Sequence, residues 1–232
     1  MSDRFYRLVH FVGSKIFWVS SRAVVLHLDR VPRSGAFILA ANHHSPFDVP
    51  LMIRHTPAIV DFVSIYELFE NRFVKWFYGS MGAFPIERRK PDAAGVRTIL
   101  DRLGSGRRVA MFPEAGVRRP PNSVTHGGPI RSGLGRLALM SGAPVVPCAV
   151  VNAEVYSRLT AWLPLKRVRY AIVYGEPIMA RTDVEEGEAA REVEEEFKRR
   201  VMSCYAEGEE ALFGSAGGMQ RSTSNVEHST LK

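Results

Sequence analysis

Short apolar runs alternate along this chain with longer segments whose apolar residues recur at helical spacing, and that alternation limits the fold more than any other feature. Residues 36–41, 57–65, 83–86, 108–112, 144–151 and 168–174 read as strands bounded by Gly, Pro or polar turns. Between them, 46–54, 66–78 (broken near Asn71), 91–103 and 134–140 read as helices. In 91–103 the stripe is Val96, Ile99, Leu100 and Leu103. A charged segment, 183–204, is helical with Val193, Phe197 and Val201 on one face. Strands and helices in this order predict an α/β fold, with a largely parallel central sheet flanked by helices.

The two ends of the chain read differently. Phe5, Leu8, Val9, Val12, Ile16, Val19 and Ala23 share one helical face, so residues 1–30 are expected to hold an amphipathic helix. Arg4, Lys15 and Arg22 border that face, with Phe11 and Trp18 beyond them. Such a helix can lie in a bilayer interface or pack on its own domain. Lys15, Arg22 and His27 interrupt the apolar run, which suits neither a signal peptide nor a spanning helix. The main domain is expected over 31–208. Residues 209–232, rich in Gly, Ser, Thr and Asn, are expected to form a disordered tail.

With 46% hydrophobic residues the chain can build a large core, and its formal charge of +7 suits an anionic partner. No nucleic-acid reader motif accompanies that charge, so a lipid surface or phosphorylated substrate is the expected partner. Two cysteines, Cys148 and Cys204, make no disulfide framework and fit a reducing compartment.

The chemistry is expected where strand 36–41 ends. His43 stands five positions before Asp48, in Asn-His-His-Ser-Pro-Phe-Asp at 42–48. The carboxyl edge of a parallel sheet is where ligands bind, and an imidazole beside a carboxylate can take a proton from an alcohol near pH 7. Ser45, Pro46 and Asp48 also read as a helix start, with Ser45 as N-cap, Pro46 in the first position and Asp48 in the third. That reading leaves His43 unexplained. Phe112-Pro113-Glu114 ends a second strand some seventy residues later.

Asn42-His43-x-Ser45-x-x-Asp48 resembles the first block of the glycerolipid acyltransferase family, whose best-known members acylate 1-acylglycerol-3-phosphate. The other blocks follow in order. Glu67-Leu68-Phe69 to Trp76-Phe77, then Met81-Gly82-Ala83-Phe84-Pro85-Ile86-Glu87-Arg88, resembles the second. Phe112-Pro113-Glu114 resembles the third, and Val146-Pro147-Cys148-Ala149-Val150 the fourth. The resemblance runs from about residue 35 to 178. It implies that His43 is a general base and that Asp48 orients it. The acceptor hydroxyl would attack a thioester of coenzyme A or acyl carrier protein, with no covalent acyl-enzyme, metal or cofactor. It further implies that Arg88, Glu114 and Arg118 serve the lysophospholipid acceptor and its phosphate, with Glu114 holding either the acceptor or the loop through hydrogen bonds, and that Asn42, Ser45 and Pro113 support the site. Val146 and Pro147 would wall the acyl chain, and Arg131, two residues before Gly133, is a further candidate for an anionic group. The implied location is peripheral, on the anionic cytoplasmic face of a membrane.

The third block departs from the family pattern. Ala115-Gly116-Val117-Arg118 stands where Gly-Thr-Arg is usual, and Ala disfavours positive φ, so a different loop path is expected. That departure bears on the acceptor headgroup more than on the chemistry. Other readings of the same residues are an acyltransferase for another lipid and a catalytically inactive lipid-binding protein. His43-His44 with Asp48 also spells the His-His-x-x-x-Asp signature of a second acyltransferase class, with His44 as base, and the three side chains are metal-ligand types.

Overall fold

The computed structural model describes residues 3–87, 92–131, 133–162 and 167–214. Its centre is a seven-stranded sheet: β1 Ser21–Leu26, β2 Ile38–Ala41, β3 Val60–Ile65, β4 Phe84–Ile86, β5 Arg108–Met111, β6 Val145–Val151 and β7 Val168–Tyr174. The spatial order is β1-β7-β6-β2-β5-β3-β4, and every neighbouring pair is parallel except β6–β7. The fold is thus α/β with a mostly parallel sheet. The helices are α1 Asp3–Ser20, α2 Asp48–His55, α3 Arg72–Ser80, α4 Ala93–Gly104, α5 Leu134–Ser141 and α6 Glu186–Phe213.

Both sheet faces are covered, which explains the continuous apolar strands. On one face Ile99 and Leu103 of α4, Leu134 and Leu137 of α5, and Val193 and Phe197 of α6 pack on Ile38, Val109, Val145 and Val173. On the other, Leu51 and Met52 of α2 join Tyr156 and Ala161 against Leu39, Val146, Tyr170 and Ile172. Every residue of β6 is buried.

Two boundaries differ from expectation. The amphipathic helix does not fill residues 1–30: it stops at Ser20, and β1 pairs with β7 in the register Ala23↔Tyr170. Val19 and Ala23 fit a helical period, but Ala23-Val24-Val25-Leu26 also makes a good strand, and the open side of β7 decides the contest. Within α1 the expected stripe is divided. Phe5 and Val9 are half-buried, Leu8 is 58% exposed, and Tyr6, outside the stripe, is buried.

At the other end α6 runs to Phe213, so residues 209–213 are helical rather than part of a tail. Gly208, which reads as a breaker, is instead a contact point. A Cβ there would lie 2.7 Å from Val151 Cγ2 and 3.2 Å from Val173 Cγ2, so its lack of a side chain lets α6 lie close on the sheet. The expected tail beyond 214 lies outside the described residues.

Candidate active site

β2 and β5 are parallel neighbours with Ala40 opposite Met111. Their carboxyl ends therefore deliver Asn42-His43 and Phe112-Pro113-Glu114 to the same place, which is how motifs seventy residues apart meet. Asn42 extends the ladder with its side chain. Its Nδ2 donates to the Val150 carbonyl at 3.0 Å, and its Oδ1 accepts from the Val150 N–H at 2.8 Å.

Asp48 is the hub of the turn that follows. Its Oδ2 lies 2.9 Å from His43 Nδ1 and accepts the backbone N–H groups of His44 at 2.8 Å and Ser45 at 2.9 Å. The carboxylate is wholly buried, while the His43 side chain keeps 16% of its surface. Burial pushes the Asp48 pKa up, against the lowering effect of the His43 ring and the two N–H groups. The His43 ring stacks on Phe112, with centroids 3.9 Å apart and planes 12° from parallel. Held at Nδ1 and stacked on one face, the imidazole has its Nε2 unengaged among the described residues.

The expected helix start is corrected. α2 begins at Asp48, and its N-cap is Phe47, without a side-chain bond. The side-chain bonds expected of that start are both present: Ser45 Oγ accepts from the Phe47 N–H at 3.2 Å, and Asp48 Oδ2 from the Ser45 N–H. What differs is that they close the turn ahead of the helix.

Of the two roles implied for it, Glu114 makes the contacts that hold the loop. It is buried, and each of its oxygens is used on backbone: Oε2 accepts from His43 N–H and Oε1 from Val124 N–H, both at 2.7 Å. It therefore ties the histidine loop to residues 112–128. The Arg118 N–H donates to the His43 carbonyl at 2.7 Å, Arg119 Nε to the His44 carbonyl at 3.4 Å, and the Arg131 N–H to the Pro113 carbonyl at 2.8 Å. The side chain of Arg118 is exposed and does not line the adjoining cavity, so its fixed contribution is the backbone bond. Ala115 takes φ 55° despite its Cβ, so the loop keeps a left-handed residue where the family has Gly. The tight bonding on either side holds that conformation. Arg88 lies outside the described residues.

His43 and Pro113 line a cavity of 1490 Å³. Its walls are mostly apolar and come from Val9 and Gly13 of α1, Pro50 and Ile53 of α2, Phe77 and Tyr78 of α3, Val96 and Leu100 of α4, and Leu137 and Met140 of α5. Exposed Arg97, Arg131 and Arg136 stand on its border. Val146 and Pro147 do not line it. Val146 is fully buried in the α2-side core, and the Pro147 carbonyl accepts the Gly175 N–H at 2.8 Å. A strand in mid-sheet, covered on both faces, has no free side to offer a chain. The helices beyond the strand ends supply the wall.

Of two further features, the first has no counterpart in the sequence reading and the second bears on the other histidine of the motif. Asp61, fully buried in β3, takes Arg107 through two bonds of 2.6 Å and Arg102 at 2.6 Å. Arg102 also donates to the Gly82 carbonyl at 3.0 Å and lies over the Phe84 ring at 4.2 Å. This cluster fixes the turn that leads into β4 and the second block. A lone carboxylate in the apolar Val60-Asp61-Phe62 run is the only signal the sequence offered. The second feature is His44, which faces away from the cavity. Its Nε2 lies 2.7 Å from Ser123 Oγ and 3.3 Å from Thr125 Oγ1, and its ring meets Tyr205 at 5.2 Å. Burial, with His126, His43 and Arg119 nearby, lowers its pKa to about 4. Adjacent residues of an extended segment point to opposite sides.

A family model described as Acyltransferase matches residues 22–151, more than half of the chain and inclusive of His43, Asp48 and Glu114. The chain belongs to the Acyltransferase family. Among curated proteins it is similar to the 1-acyl-sn-glycerol-3-phosphate acyltransferase of Bacillus subtilis, 26% identical over 155 residues, which are 66% of this chain and 72% of that one. It is also similar to the enzyme of that name from Streptococcus pneumoniae, 27% identical over 178 residues, 75% of this chain and 62% of that one. Among solved structures it shares the fold of the 1-acyl-sn-glycerophosphate acyltransferase PlsC of Thermotoga maritima. The TM-score is 0.61 at 24% identity, over 88% of this chain and 83% of that one. The protein is an acyltransferase.

Proposed function

We propose that this acyltransferase moves a fatty acyl group from the thioester of coenzyme A or acyl carrier protein to the free hydroxyl of 1-acylglycerol-3-phosphate. One observation carries the reading: the His43 imidazole, bonded through Nδ1 to buried Asp48, borders a large apolar cavity. His43 Nε2 takes the hydroxyl proton while the acceptor oxygen attacks the thioester carbonyl. The tetrahedral intermediate then collapses by breaking the C–S bond, and the imidazolium returns its proton to the departing thiolate. Asp48 holds the reactive tautomer and steadies the imidazolium, and no acyl-enzyme forms. General-base help of this kind accounts for about 10²–10⁴ in rate. The acyl chain lies along the α1–α5 walls of the cavity, and the acceptor phosphate meets arginine, with Arg88 the residue the second block suggests. The substrate is supported by the names of the relatives in Bacillus and Streptococcus.

The reaction takes place, in this reading, on the anionic cytoplasmic face of a membrane. No helix among the described residues is long and apolar enough to cross one. Support comes from exposed apolar residues on two helices, Leu8 and Phe11 of α1 and Phe73 and Trp76 of α3, with the Phe5 and Trp76 rings 5.4 Å apart. Exposed Arg4, Arg7, Lys15, Arg72 and Lys75 lie on the same two helices. Aromatic residues among cations suit the headgroup layer. Phe11→Ser with Trp76→Ser is expected to lower sedimentation with phosphatidylglycerol vesicles at least fivefold. Unchanged sedimentation would remove this surface from the reading.

The test of the reaction is a purified-enzyme assay pairing labelled acyl-CoA and acyl carrier protein with a panel of lysolipids. Transfer to 1-acylglycerol-3-phosphate, abolished by His43→Ala, is expected. Transfer to no lysolipid from either donor would overturn the function. Transfer only to acceptors without phosphate would keep the chemistry and reject the role of Arg88.

A further inference from the structure

The turn carrying His43 has two sides. One meets the cavity, and the other is closed by a buried polar cluster that the transfer chemistry does not use. His44, Ser123 and Thr125 are 3%, 0% and 7% exposed, and the Tyr205 ring of α6 packs on His44. We propose that His44 is a positioning residue for the transfer reaction, latching the His43–Asp48 turn to the 122–128 segment through Ser123. The proposal rests on His43 being the base.

One arrangement of these hydrogen bonds uses every hydroxyl. Thr125 Oγ1 donates to Ser123 Oγ at 3.1 Å, and His126 Nδ1 lies 2.9 Å from Thr125 Oγ1. Ser123 Oγ also accepts the Thr125 N–H at 3.3 Å, so its own proton is left for His44 Nε2 at 2.7 Å. The chain of donors runs from exposed His126 inward through Thr125 and Ser123 to His44, which must be neutral to accept. The lowered pKa of His44 agrees with that state. At its other end, the His44 N–H holds the same Asp48 oxygen that bonds His43 Nδ1. Rotation of residue 44 would thus move the acceptor that fixes the base.

A parallel tie makes the latch two-sided. Glu114 bonds the N–H of His43 and that of Val124, while His44 bonds the side chain of Ser123. Adjacent residues of the catalytic turn are pinned to adjacent residues of one segment. The imidazole needs that rigidity, because a displacement of about 1 Å from the attacking geometry can cost about 10²-fold in rate.

The test compares His44→Leu, His44→Gln and Ser123→Ala with wild type and His43→Ala in one assay, scaled to the folded fraction. In His44→Leu kcat is expected to fall at least tenfold, with KM for donor and acceptor within twofold. Gln can place an oxygen where Nε2 sits, so His44→Gln should recover to within about threefold of wild type. Ser123→Ala should lower kcat in the same way, and adding it to His44→Leu should change little more. If His44→Leu does not fold, Ser123→Ala decides alone. Folded His44→Leu or Ser123→Ala with unchanged kcat, beside an inactive His43→Ala, would overturn the latch and leave the base intact. An active His43→Ala would overturn the base itself.

Discussion

Asp48 and Asp61 are the same side chain, equally buried, doing different work. Asp61 is neutralised by two guanidiniums within 2.6 Å and holds the approach to β4. Asp48 meets no permanent cation among the described residues: its companions are two backbone N–H groups and the histidine that, in the proposed reaction, changes charge during turnover. A carboxylate met by fixed cations is locked in place, whereas one left short of positive charge stabilises an imidazolium when it forms. Burial alone does not mark a catalytic carboxylate. The difference lies in what neutralises it.

Substitutions should separate the two. Asp48→Asn is expected to lower kcat by about 10³-fold, within the range of general-base contributions, while the protein stays folded. Activity within tenfold of wild type would place Asp48 with Asp61 as structural. Asp61→Asn should do the reverse, lowering unfolding free energy in urea by about 3 kcal/mol, because two cations lose their buried partner. Its kcat per folded molecule should stay within a few-fold of wild type. Gly82→Ala probes the same cluster more gently. Gly82 has φ 85°, and a Cβ would stand 2.6 Å from Asp61 Oδ1. A loss of about 2 kcal/mol is expected in the same denaturation, with thermal unfolding showing the same direction.

The smallest effect concerns pH. His44 and His55 have pKa values lowered from 6.5 to about 4 by burial and nearby cationic groups. Between those values the unfolded chain binds protons that the folded protein refuses, so stability falls as pH drops from 6.5 toward 4. The slope should approach about 1 kcal/mol per pH unit for each histidine. The raised pKa of Asp48 acts in the opposite sense, since the folded form takes that proton first. Urea titrations at pH 7, 6 and 5 measure the balance, and His44→Gln should remove part of the slope.

Much of the sheet was legible because its strands are apolar throughout and its helices carry clear stripes. Residues 168–174 were bounded as strand from their composition alone, and the break near Asn71 falls between a 3-10 turn at Tyr66–Phe69 and α3. The misread regions are those where one pattern suits two structures. Val19 to Leu26 fits helix or strand until β7 offers an edge. Gly208 ends a helix by propensity, but here it lets one pass close to the sheet. At the site, the residues that met were visible, but their partners were not. Glu114 could have faced an acceptor or a loop, and only the position of two N–H groups shows that it holds a loop.

By itself the sequence determined the α/β class, the order of the motifs and the pairing of His43 with Asp48, because those depend on local period and five-residue spacing. Tertiary structure decided what is set by neighbours distant in the chain. It put β2 beside β5, turned His43 to the cavity and His44 to Ser123, and moved the apolar wall from β6 to the helices. That the two histidines diverge is local, but which of them meets the cavity follows from contacts across the sheet, and no local pattern encodes those.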